Sequence, residues 1–209
     1  MLESLTGLGL ATSAGLNAYI PLLAIGVLAR YTDLITLPSN WAWMDNGWTL
    51  TIVAVLLAIE FVADKVPMVD HVNDILQTFV RPTAGGLAFG AASSSQTVTV
   101  SDPGSFFSGH QWVPIVAGGL ISLVVHGMKA ATRPVVNATT VGFGAPIVST
   151  IEDVLSVALS LVAIVLPVVV LLFLVLIFLS FGWLMRRRKR RKDEKAAAQW
   201  AAAQGWRPS

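Results

Sequence analysis

The 209-residue chain is 55% hydrophobic and only 12% charged, about half the charge content of an ordinary soluble domain, and its mean hydropathy is +0.70. That excludes a water-soluble globule and points to a membrane protein. Nine of the fourteen Lys and Arg residues fall at or beyond Arg186, leaving five bases against ten acids before it. The pI near 9.2 therefore describes the tail, and nucleic acid is not an expected partner. With no cysteine, disulfides, thiolate metal sites and a cysteine nucleophile are excluded.

Residues 1–10 carry Glu3 and no base, so they lack the positive region of a cleavable signal, and the first apolar stretch is expected to be retained. A helical crossing needs about 20 apolar residues to bridge roughly 30 Å of hydrocarbon. Residues 5–29 meet this, as do 154–185, which contain no charge and would run about 48 Å, with Pro167 a kink point. Four shorter stretches, 48–63, 83–100, 112–125 and 135–150, are interrupted or bounded by Gly, Pro or charge and read as thin spans, broken helices or re-entrant hairpins.

If all six cross, both termini are cytoplasmic. Lys65, Arg81, Lys129 and Arg133 then lie inside and only Arg30 outside, as the positive-inside rule requires. Trp41, Trp43, Trp48 and Trp112 fall near outer boundaries, where indole rings anchor in the headgroup layer. Residues 91–109 form the other outer loop.

One internal match stands out, between Pro67-Met-Val-Asp-His-Val-Asn-Asp-Ile-Leu76 and Pro146-Ile-Val-Ser-Thr-Ile-Glu-Asp-Val-Leu155. With three spans per unit the two copies would be inserted upside down relative to each other, a 3+3 inverted repeat of about 5–100 and 112–185, as in many secondary transporters. The expected fold is therefore all-α: a polytopic helical membrane domain over 1–185 with about six segments, and a basic cytoplasmic tail over 186–209.

Ionisable groups within spans are costly, so they pair, face water or carry function. Glu60 and Asp64 share a helix face beside Lys65. From 66 to 80 the apolar positions follow a helical period, leaving Asp70, Asn73, Asp74 and Gln77 on a polar face until Arg81-Pro82 ends or kinks the helix. This segment is either an interfacial connector or an inward-turned site in which Asp70, His71 and Asp74 join Glu60 and Asp64; no metal motif is matched, and no metal or other cofactor is expected. His126, Lys129 and Arg133 share one face. They would anchor the inner end of span four, neutralise Glu60 and Asp64, or receive an anionic headgroup, with His126 the titratable member. Glu152 and Asp153 would open the last helix on the outer side, where acids meet its dipole favourably. Asn17 and Asn137 are further polar residues in need of partners. Gly7, Ala11 and Gly15, with Ala14 and Ala18, form ridges for close helix approach, and Gly85-Gly86 and Gly118-Gly119 mark more.

The stretches Gly7-Leu-Gly-Leu-Ala-Thr-Ser-Ala-Gly-Leu-Asn17-Ala-Tyr-Ile-Pro21, Glu60-Phe-Val-Ala-Asp64-Lys65-Val-Pro67-Met-Val-Asp70-His71-Val-Asn-Asp74 and His126-Gly-Met-Lys129-Ala-Ala-Thr-Arg133 resemble a family of small bacterial integral membrane proteins classed as domain of unknown function 4126. The resemblance covers about residues 5–180. It implies the membrane class and the motif positions, and no substrate.

No Walker loop, GxSxG elbow or HExxH is present, and no enzyme is expected. The leading expectation is a small transporter or channel-like protein of the bacterial inner membrane, assembled as a homo-oligomer. Its polar pathway would be lined by Asn17 and Asn137, with Glu60, Asp64, Asp70, His71 and Asp74 at the inner side and Glu152 and Asp153 at the outer. The alternative is a non-transporting scaffold with interfacial charges. In either case Arg186, Arg187, Arg188, Lys189, Arg190, Arg191 and Lys192 would bind anionic lipid.

Overall fold

Prolines and asparagines set where the helices begin. The computed structural model describes residues 2–94, 112–140 and 144–167 and scattered positions from 169 to 190, leaving out the side chains of 2, 67, 68, 70, 71, 137 and 138. Regular structure among the described residues is helical: α1 Leu2–Leu16, α2 Tyr19–Tyr31, a 3-10 turn Ala42–Asp45, α3 Gly47–Ala63, α4 Pro67–Ser94, α5 Trp112–Thr140 and α6 Gly144–Val165. Pro21, Pro67, Pro114 and Pro146 each stand in the first turn of α2, α4, α5 and α6, where a missing N–H leaves no bond unmade. Asn46 accepts from the Trp48 N–H and starts α3. α6 stops at Val165, two residues before Pro167, because the residue preceding a proline is pushed out of the helical region.

The apolar stretch 5–29 is two helices, not one span. Asn17 Oδ1 accepts from the Tyr19 and Ile20 N–H groups, which ends α1 and begins α2. α1 runs antiparallel to α4, with Gly7 against Phe89 and the Gly15 carbonyl on Arg81. α2 returns beside α3, Gly26 backing onto Met44 and Leu50. The pair is a helical hairpin with its tip at Asn17-Ala18 and its arms open toward residues 32–46.

From there α3, α4, α5 and α6 alternate in direction. This departs from the six-span expectation at two points. α4 runs through Pro82, so the amphipathic segment and the following apolar one are a single helix. Residues 112–140 are likewise one helix through Pro134, and the expected span over 135–150 is the end of α5 and the start of α6. The two proline-led segments consequently open α4 and α6 at the same end of the bundle, pointing the same way. Their likeness is that of two helix starts, and the upside-down relation expected of an inverted repeat is not found between them.

Packing is closest where side chains vanish. A Cβ on Gly118 would run into the Gly85 carbonyl oxygen, and one on Gly15 would sit 2.7 Å from that of Ser122. Trp41 is buried, its ring against Gly90. It is a packing residue and not the expected anchor, whereas Trp43, Trp48 and Trp112 are exposed.

The distribution of polarity is inverted. Val72, Ile75, Leu76 and Phe79 of α4 face outward while Gln77 and Arg81 are buried, and α3 turns Ile52, Val55, Ile59 and Val62 outward with Glu60 inside. Among the described residues two helices, 112–136 within α5 and α6 itself, are long and apolar enough to cross a membrane; α2 and α3 are apolar but shorter.

The chain divides into Met1–Val170 and Leu171–Ser209. In the second unit Arg186, Arg187 and Arg190 are exposed and helical, with the Arg187 guanidinium 5.1 Å from the Trp183 ring centre. Arg188, Lys189, Arg191 and Lys192 lie outside the described residues.

Gly118→Val should lower the midpoint of thermal unfolding by the equivalent of about 1–3 kcal/mol, as overpacking does. Gly127→Ala, where an added Cβ meets nothing within 4 Å, should leave it unchanged or slightly higher.

Candidate functional site

α4 and α5 place their charged faces toward the hairpin tip and toward the 64–66 link between α3 and α4. At the centre is Asp64, fully buried. Its Oδ2 accepts from Lys129 at 3.1 Å and Arg133 at 3.0 Å, and its Oδ1 from Asn73 at 2.7 Å. Arg81 is 3.8 Å away. Glu152 Oε2 also takes both Lys129 at 2.9 Å and Arg133 at 3.2 Å, and Arg133 reaches Asp74 at 3.5 Å. Glu60 is held by Arg81 at 2.8 Å, and Asp153 by Lys65 at 3.5 Å. Pairing of this kind spares Asp64, Glu152, Lys129 and Arg133 the cost of several kcal/mol that a buried charge would carry alone.

The hairpin tip is locked into the same network. Arg81 Nη1 donates to the Gly15 carbonyl at 3.1 Å and Lys129 to the Leu16 carbonyl at 3.0 Å; these are orphan acceptors at the negative end of the α1 dipole, where cations are favoured. Asn17, entirely buried, donates to Asp153 at 3.0 Å. One turn above, Ser13 Oγ is 2.7 Å from the hydroxyls of both Ser156 and Ser160. A cavity of about 440 Å³ lies at the open end of the hairpin, with Glu3, Thr6, Leu10, Ile25 and Ile164 among its walls.

His126 is neutral by geometry. Arg81 Nη1 sits 3.1 Å from its Nδ1, and a guanidinium can only donate, so Nδ1 is the acceptor. The proton is then on Nε2, which donates to Thr78 Oγ1 at 3.1 Å, the Thr78 hydroxyl being spent on the Asp74 carbonyl. The imidazole is a structural link and not the titrating member expected of it.

Burial raises the Asp64 carboxyl, but Lys129, Arg133 and Arg81 outweigh this and hold it at about 2. Among the described residues no three His, Cys, Asp or Glu side chains form a metal-binding group.

Of the expected site residues, Asn17, Glu60, Asp64, Asp74, His126, Lys129, Arg133, Glu152 and Asp153 come together. Glu152 and Asp153 do not open a helix on the far side of the bundle: α6 starts at Gly144, so both lie well inside it and face the same cluster as Asp64. Lys129 and Arg133 are buried, neutralising acids and not anchoring at a surface. The side chains of Asp70, His71 and Asn137 lie outside the described residues. Arg81, 0% exposed, was expected at the end or kink of a helix on the inner side and not among the site residues. Its position one turn beyond Gln77 and two beyond Asp74 on one helical face was the available signal. Ser13, Ser156 and Ser160 gave none beyond their spacing.

The bundle thus defines a class of helical proteins with a charged interior and a helical hairpin inserted into it. The domain of unknown function DUF4126 matches residues 4–187, and the chain belongs to that family. No curated protein and no solved structure matches it.

Asp64→Asn should cost about 3–5 kcal/mol, since it leaves two buried cations short of an anion, and should depress thermal stability far more than Asp33→Asn at an exposed position. The Asp64 carboxyl ionises more readily folded than unfolded, where it titrates near 3.9. Its contribution, on the order of 2 kcal/mol, is therefore complete above about pH 4 and lost as pH falls toward 2. An acid melt of the wild type should show this loss, and the Asn variant should lack it.

Proposed function

We propose that this is a small hairpin-gated membrane transporter or channel-like protein of the bacterial inner membrane that moves an ion, a small polar solute or a lipid headgroup. An exterior of Val, Ile, Leu and Phe around buried Arg, Lys, Asp and Glu is stable when the surroundings are hydrocarbon and the charges pair inside. In this reading α3 to α6 cross the bilayer, with α3 at about 26 Å near the hydrocarbon thickness, and α1–α2 re-enters from one side. The basic tail lies on the cytoplasmic leaflet.

One observation carries the reading: the free ends of the broken helix are held by Arg81, Lys129 and Asp153, which also belong to the ion-pair network. Withdrawing the tip and opening the network are one event, and the polar line from the cavity through Ser13, Ser156 and Ser160 to Asn17 and Asp153 becomes continuous. Discontinuous helices are where transporters place their cargo.

The scaffold reading is favoured by one fact, that the network as it stands is closed, with Asp64 and Glu152 each held by two cations within 3.2 Å. A protein that never opens would look the same.

Proteoliposomes decide between them. A Ser13→Cys, Ser156→Cys pair should form a disulfide on oxidation that pins the hairpin. Flux of protons, potassium or headgroup-labelled phosphatidylethanolamine by the reduced protein should stop on oxidation and return on reduction. Absence of flux for all three probes, with removal of 186–209 abolishing clustering of anionic lipid, would establish the scaffold. Single cysteines give the topology: one at exposed Ser39 should label from one face, and one at Val66 or Thr139 from the other.

A further inference from the structure

Glu60 differs from the other acids of the cluster. It is 2% exposed, its Oε1 takes the Arg81 guanidinium at 2.8 Å, and its Oε2 is buried without a hydrogen-bond partner. Two side chains of α4 also carry unpartnered buried polar atoms. Gln77, one turn before Arg81 on the same face of α4, has its Oε1 unpartnered, and Arg81 has its Nε unpartnered. A carboxylate oxygen and an amide oxygen are both acceptors and do nothing for each other. A proton on Glu60 Oε2 makes it a donor, and Gln77 Oε1 is an unfilled acceptor on a side chain that, like Glu60, lies against Tyr19.

Charge counting points the same way. Among the described side chains of the cluster, Glu60, Asp64, Asp74, Glu152 and Asp153 face Lys65, Arg81, Lys129 and Arg133, and His126 is neutral. One carboxyl is in excess. It is not Asp64, which draws three donors within 3.1 Å. The groups around Glu60 are Tyr19 on α2, Asp64 beyond α3, Arg81 on α4 and Lys129 on α5, with Gln77 of α4 against Tyr19 and His126 on the far side of the Arg81 guanidinium; α1 presents the Gly15 carbonyl, which shares that guanidinium.

We propose that Glu60 is a proton-binding site, neutral while the hairpin is seated and ionised when the tip withdraws. On withdrawal Arg81 loses the Gly15 carbonyl, its charge then calls for a full anion, and the Glu60 O–H bond breaks with the proton passing to admitted water. This rests on the transport reading above and names the proton as its coupled ion.

Infrared difference spectroscopy of the full-length protein in liposomes tests it. At neutral pH the wild type should show the carbonyl stretch of a protonated carboxylic acid, lost in Glu60→Gln and shifted in Gln77→Leu, which removes the acceptor. The second variant decides the matter even if the first fails to fold. A band that survives Glu60→Gln, a band indifferent to Gln77→Leu, or no such band at neutral pH would overturn the proposal. The band and the liposome flux are separate readouts: flux without the band leaves the pathway and removes the proton site, and the band without flux does the reverse.

Discussion

The ion pairs of Asp64 with Lys129 and Arg133 are the constraint on which the rest depends. They tie the end of α3 to the middle of α5, and Glu152 on the same two cations ties in α6. They are buried within the bundle, so the charges have little water to fall back on and must satisfy one another. This explains why the network is so densely shared: Lys129 serves two carboxylates and a backbone carbonyl, and Arg133 serves three carboxylates.

The helical hairpin depends on that network in turn. Ending α1 inside the bundle strands carbonyl oxygens where nothing but protein can bind them. Arg81 and Lys129 supply the donors, and Asn17 closes the gap to α2 while holding Asp153. A helix broken at this depth would be untenable without those cations, and the cations would be short of acceptors without the break. The close approach of α4 and α5 at Gly85 and Gly118 brings the Arg81 and His126 faces near enough for this to happen.

Several elements were legible in the residues. The polar face of α4 at Asn73, Asp74 and Gln77 is a matter of helical period, and so is the shared face of His126, Lys129 and Arg133. The glycine pairs announced close contact. The break at Asn17 was also written there, as an asparagine followed four residues later by a proline, the composition of a helix start. It was hidden by hydropathy, which averages straight across a two-residue turn. Hydropathy erred the opposite way at Pro82 and Pro134, where a proline inside a well-packed helix is tolerated and does not divide it.

The sequence by itself determined the class: a charge-poor, apolar chain of helices in a family it shares with other members of DUF4126, with acids and bases at positions that needed partners. Only the tertiary structure decided who the partners are. Glu152 and Asp153 lie far along the chain from Asp64, and whether they share its cluster or occupy the opposite end depends on how many times the chain reverses between them. Reversal is set by where helices end, as at the two residues Asn17-Ala18 and the three residues 64–66, breaks too short to register in composition, whereas burial of charge depends on the summed result of all the reversals.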